Sequence, residues 1–202
     1  MFLPGMTYAS VRSQITDIRS TSTQQQGRQA TSIKLIIGIL IIVDETDAAA
    51  QARYNEYLDK YSDDEDFQFS DHGGIRSLIS SWSETIPGSE GIRWTKSRVA
   101  RELALGGPHP KAVGSGATVA DVLEAWVRET GVDGFNVSYA VSPGDFGNVV
   151  RFLVPEMKRR GVFWDNVGAE GCTMRENYSG DGGGGRLRDD HHGSRYAWGA
   201  TK

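Results

Sequence analysis

Gly114-Ser-Gly116 stands directly before a run with helical spacing. Free backbone N–H groups in the first turn of a helix, reinforced by the helix dipole, favour an anion, so this tripeptide is a candidate contact for a phosphate or carboxylate. The same residues also read as a Gly-rich turn entering a capped helix, and both readings stay open. Ser138 and Tyr139, at the carboxyl end of the strand after that helix, are the other candidates, with packing as the alternative for Tyr139. Other features carry less. Gly182-Gly-Gly-Gly185 has no preceding strand and no following Gly-Lys-Ser/Thr, so it reads as a flexible linker rather than a phosphate loop. Asp189-Asp-His-His192 has metal-type ligands, but neighbours on a Gly-flanked tail do not converge, and no metal is expected. His109, between two prolines, reads as a turn residue, and Cys172 as a passive thiol. No residue is assigned as acid, base or nucleophile.

The elements that must position these residues follow from periodicity. Thr118 is the expected N-cap, with Asp121 three residues on, and Val122, Leu123, Trp126 and Val127 form an apolar stripe ending at Gly131. The alternation Phe135, Val137, Tyr139 then marks a strand. Leu35 to Val43 is a continuous Ile-rich run bounded by Lys34 and Asp44. It is far shorter than the about 20 residues of a membrane span, so it predicts a strand buried on both faces. Asp145 is the expected cap of a later helix whose Phe146, Val149, Val150, Leu153 and Met157 face inward, with a kink at Pro155. A first helix is expected from Thr7 to about Ser20, and Ser20 to Gly27 reads as a polar connector. Between Ser62 and Pro110 the pattern breaks down, with helical pieces expected at Gly74–Trp82 and Lys96–Leu105.

Lys and Arg number 22 against 26 Asp and Glu, a net charge of −4, and no basic stripe is visible, which argues against nucleic acid as a partner. One cysteine excludes an intrachain disulfide and makes a reducing compartment the default. The N-terminus lacks the basic and apolar regions of a signal peptide, so a cytoplasmic protein without a membrane partner is expected.

Gly114–Tyr139 resembles the penultimate helix and final strand of the bacterial luciferase-like flavin monooxygenases, in the subgroup of the nitrilotriacetate and dibenzothiophene-sulfone monooxygenase large components. Pro143–Gly161, with Val154-Pro-Glu156 and Arg159-Arg-Gly161, resembles the closing helix of that subgroup. Ser32–Gly38 with Asp44–Leu58 is similar to its seventh strand and following helix, and Thr173–Tyr178 to its post-barrel segment. The resemblance implies an α/β fold, the carboxy-terminal part of a TIM-type (β/α)8 barrel, incomplete in this chain. Residues 1–178 would form the barrel portion, with 62–110 an insertion over the barrel mouth, and 179–202 a flexible Gly-rich tail. A full barrel takes about 250 residues, so the resemblance places the start of this 202-residue chain after the sixth strand. Two barrel strands would then leave unpaired edges and several Ile side chains in water, which leaves a homo-oligomer open. The resemblance also implies reduced FMN supplied by a separate flavin reductase, O2, and a small-molecule organic substrate. Most flavin contacts would come from residues before Met1. Gly114, Ser115, Gly116, Ser138 and Tyr139 are the candidates for FMN or substrate contact within this chain. The alternative is a non-catalytic α/β fragment or an interaction remnant that docks with a barrel partner.

Overall fold

A computed structural model describes residues 1–5, 7–61, 79, 83, 94–164, 170–179 and 192–196. The chain divides into two compact units, Met1–Gly161 and Val162–Lys202.

The first unit is organised by β2, Ile36–Asp44. Parallel to it run β1 (Phe2–Leu3), β3 (Lys111–Ser115) and β4 (Gly134–Ser138), giving a four-stranded sheet. The register fixes the sides. Leu40 of β2 pairs with both Lys111 of β3 and Ser138 of β4, so β3 and β4 flank β2 on opposite edges. Ile36 pairs with both Phe2 and Gly134, so β1 lies on the β3 side, nearer the amino end of β2. The expectation of two strands with open edges on the Ile-rich run is therefore corrected. β3 was not foreseen, and it occupies the edge of β2 that β4 leaves free.

Helices cover both faces, because successive side chains of a strand point to opposite sides. Leu35, Ile37, Ile39, Ile41 and Val43 pack with Val11 and Ile15 of α1 (Tyr8–Gln26) and with Val119, Leu123 and Trp126 of α4 (Gly116–Thr130). Leu40 and Ile42 pack on the other face with Tyr57 and Leu58 of α2 (Asp47–Tyr61) and with Leu105, just past α3 (Lys96–Ala104). Every side chain from Ile39 to Val43 is at most 2% exposed. The expected exposure of β2 isoleucines is thus overturned by this two-sided cover.

Several boundaries shift for local physical reasons. Helix α1 runs on through the segment read as a connector. Thr23 Oγ1 bonds back to Arg19 C=O at 2.8 Å, and Gly27 adopts a left-handed conformation whose N–H reaches Thr23 C=O, so the helix stops only there. The cap of α4 is Ser115, whose Oγ accepts from Thr118 N, while Asp121 pairs with Arg160 at 2.6 Å. Within α4, Val119 is buried and Val127 is 44% exposed, so the inward stripe is Val119, Leu123 and Trp126, with Val122 half-buried beside it. The closing segment is α5 (Gly144–Asn148), a π-helical turn (Val149–Leu153) and α6 (Val154–Arg159). The π turn absorbs what Pro155 cannot provide: Val154 N–H bonds to Val149 C=O, a wider register just ahead of the residue lacking a donor. Asp145 and Leu153 face inward, but Phe146 is 40% and Val150 66% exposed, a correction to the expected inward face.

The piece expected at Lys96–Leu105 is present as α3, whereas that at Gly74–Trp82 lies outside the described residues save Ile79. In the second unit, α7 (Met174–Ser179) opens with a reciprocal cap: Glu176 Oε2 accepts from Thr173 N at 2.7 Å, and Thr173 Oγ1 accepts from Glu176 N at 3.3 Å. The Gly182–Gly185 linker lies outside the described residues, as do Asp189 to His191. Among the described residues no helix is long and apolar enough to cross a membrane.

Candidate functional site

In a parallel sheet covered by helices, the carboxyl ends of the strands are where loops and helix N-termini expose polar groups together. Here that edge is formed by Asp44 on β2, Ser115 on β3 and Ser138 on β4, with their following segments.

Gly114 pairs with Val43, and Ser115 with Asp44, so the tripeptide lies at the tip of a strand. Gly116 is the first residue of α4 and is buried. Both glycines mark close approach. A Cβ on Gly116 would lie 2.2 Å from Phe152 O, and one on Gly114 would lie 2.7 Å from Thr118 Cγ2 and 2.9 Å from Asp47 Oδ1. The N–H of Ser115 donates to Asp47 Oδ1 at 2.6 Å. Asp47 titrates below the usual carboxylate range, chiefly because of that backbone hydrogen bond and then the Thr118 and Ser115 hydroxyls. The anion at the start of α4 is thus the side chain of Asp47, contributed by α2, and a ligand phosphate would have to displace it.

Ser138 and Tyr139 lie elsewhere on this edge. Ser138 Oγ donates to Ile39 C=O at 3.1 Å, and Tyr139 is 48% exposed with its ring 4.8 Å from that of Phe146. Because Ser115 pairs with Asp44 and Ser138 with Leu40, the two serines sit on opposite sides of β2 and four residues apart along it. At about 3.3 Å per residue, that offset alone exceeds the reach of any pair of side chains of their size.

Between them runs a polar chain that no local sequence signal announced. Asp44 accepts from Glu45 N at 2.8 Å and from Arg53 Nε at 3.0 Å. The Glu45 hydrogen bond, and then Arg53, hold Asp44 below the usual carboxylate range, while the pairing with Asp44 raises Arg53. One turn further along α2, Tyr57 donates to Asp145 Oδ1 at 3.1 Å, and burial pushes its phenol up. Asp145 is 3% exposed, and its other oxygen accepts from Ala140 N and Val141 N, each at 2.9 Å. It had been expected as an N-cap; instead it bridges a loop. Asn148 Nδ2 donates to Val43 C=O at 3.0 Å, closing the group onto β2. Among the described residues no three His, Cys, Asp or Glu side chains converge on a metal position.

No family model matches the chain. It is 32% identical over 216 residues to the dimethyl-sulfide monooxygenase of Hyphomicrobium sulfonivorans, a match covering 97% of this chain and 44% of that protein. It is 33% identical over 198 residues to the long-chain alkane monooxygenase of Geobacillus thermodenitrificans (97% and 43%), and 27% identical over 197 residues to nitrilotriacetate monooxygenase component A of Aminobacter aminovorans (88% and 43%). The crystal structure of DmoA from Hyphomicrobium sulfonivorans superposes with a TM-score of 0.78 at 30% identity, covering 97% of this chain and 44% of that one. The chain therefore has monooxygenases as relatives along almost its whole length and shares their α/β fold with a parallel sheet. It spans less than half the length of the curated relatives it matches.

Proposed function

We propose that this chain is a carboxy-terminal part of a luciferase-like, FMN-dependent monooxygenase barrel, in which it supplies one stretch of the working edge. The whole protein would oxygenate a small organic substrate with O2 and reduced FMN delivered by a separate reductase, in the cytoplasm. The observation that carries this reading is the similarity to several monooxygenases over nearly the full chain, combined with a parallel sheet whose carboxyl edge gathers Asp44, Arg53, Tyr57, Ser138, Tyr139 and Asp145.

The cofactor would bring the oxygen chemistry, and the protein its position and the exclusion of water. A flavin phosphate does not fit the start of α4 as it stands, because Asp47 already holds the Ser115 N–H and would repel a second anion. Ser138 and Tyr139 remain as the stretch that could meet flavin or substrate, with Gly114, Ser115 and Gly116 forming a packed wall. A second reading, a non-catalytic α/β domain that docks with a barrel partner, is favoured by the cover that the chain's own helices give both faces of β2.

The test is a titration with oxidised and reduced FMN by flavin fluorescence and calorimetry, on the chain alone and co-expressed with the barrel residues it lacks relative to the dimethyl-sulfide monooxygenase. Binding and substrate-dependent oxygen uptake are expected only in the combination. No flavin retained by a well-folded combination would leave the docking domain as the surviving reading, and saturable one-to-one binding by the chain alone would show that its own residues hold the flavin.

A further inference from the structure

We infer that Asp145, held by Tyr57, is a positioning residue for the carboxyl edge of β4, setting the course of the chain from Tyr139 to Val141 and hence the direction in which Tyr139 presents its ring. This rests on the monooxygenase reading only in taking the carboxyl edge of the sheet as the working face.

The argument starts from the strand end. After Ser138 the ladder to β2 stops, so the N–H groups of Ala140 and Val141 have lost their β partners. Part-buried donors without partners are costly, and one carboxylate oxygen takes both: Asp145 Oδ2 lies 2.9 Å from each nitrogen. Two consecutive amides aimed at one oxygen fix the turn of the backbone there. The other oxygen is fixed from outside the loop by the Tyr57 hydroxyl at 3.1 Å, on a helix whose Arg53 is tied to Asp44 at the end of β2. Position therefore passes from β2 through α2 to the loop after β4.

Two neighbours of this carboxylate feel its placement directly. Tyr139 immediately precedes the paired amides, and Phe146 follows Asp145 in the chain. Their rings meet at 4.8 Å, although Tyr139 is 48% and Phe146 40% exposed. Two large exposed aromatic side chains set against each other on a loop whose backbone a buried carboxylate fixes form an oriented surface rather than two free side chains. A carboxylate at the opposite end of the sheet that also takes a backbone amide serves as the reference: Asp133 Oδ2 accepts from Leu35 N at 2.9 Å.

The experiment measures position, without flavin or substrate, so its outcome is independent of the flavin titration. Tyrosines are nitrated in the folded protein, and the ratio of Tyr139 to Tyr8 modification is read by peptide mass spectrometry, alongside amide exchange at Ala140 and Val141. Asp145→Ala is expected to accelerate exchange at both amides about tenfold and to raise the Tyr139 ratio. Asp145→Asn, which keeps an acceptor oxygen, falls between it and wild type, and Tyr57→Phe shifts both readouts in the same direction by less. Asp133→Ala lowers the melting temperature but leaves the ratio unchanged. An unchanged ratio in folded Asp145→Ala overturns the proposal; should that variant not fold, Tyr57→Phe with wild-type exchange and nitration overturns it instead.

Discussion

Gly116→Ala is expected to destabilise the protein although it replaces a helical glycine by the best helix former. The added Cβ would stand 2.2 Å from the carbonyl oxygen of Phe152 and 3.0 Å from its carbonyl carbon. These are backbone atoms, which cannot rotate away, so α4 and the π-helical turn must separate by roughly 1 Å to restore ordinary contact. Overpacking of this kind costs about 1–3 kcal/mol, against a helix-propensity gain of at most ~1 kcal/mol. The net expectation is a loss of about 1–2 kcal/mol, or a fall of roughly 2–8 °C in Tm for a chain of this size. Gly147→Ala is the matched control, since nothing lies within 4 Å of the Cβ it would add. That substitution should be neutral or slightly stabilising. Urea midpoints and thermal melts of the two variants beside wild type decide the matter: a Gly116→Ala protein as stable as wild type would show that the helices do not approach this closely.

Two further outcomes follow from single groups. Ser22 is buried and its hydroxyl has no hydrogen-bond partner among the described residues, so Ser22→Ala should raise stability by about 1 kcal/mol, and a lowered urea midpoint would mean the hydroxyl is bonded after all. Glu156 is held at about 2, below its ordinary 4.5, by hydrogen bonds from Arg159 and then Arg160. Because the folded value is the lower one, its contribution is fully present above pH 4.5 and is lost as pH falls toward 2. Melting curves between those pH values should therefore fall less steeply for Glu156→Gln than for wild type, and parallel curves would count against the ion pairs.

What was legible in the sequence and what was not divides along the distance over which each element is determined. β2 was readable because Leu35 to Val43 is apolar throughout and bounded by charges, which only a doubly buried strand can use. The helix from Gly116 to Thr130 and the strand after it were readable from spacing and from Gly131 as a stop. β3 was not: Lys111-Ala-Val-Gly-Ser115 is five residues with a glycine in it, and its strand conformation comes from the ladder offered by Leu40 to Asp44, some seventy residues away. The end of α1 was misread because Ser, Thr and Gln suggest a connector by composition. Their hydroxyls can bond back to the helix, and the stop was in plain view as Gly27.

The site divides the same way. Gly114 to Gly116 could be singled out from sequence because a glycine pair ahead of a helix is a local pattern, but the partner that takes the Ser115 N–H, Asp47, comes from another helix. Asp145 looked like a cap because it stands near a helix start, and a cap is the nearest use for a carboxylate there. Its three actual donors are two amides at a strand end and a tyrosine 88 residues earlier in the chain, a combination that exists only once the sheet has formed. Polar groups at a carboxyl edge are assembled from several strands and helices at once. Periodicity therefore finds the elements that carry them and says little about which of them meet, and the chain from Asp44 through Arg53 and Tyr57 to Asp145 emerges from packing alone.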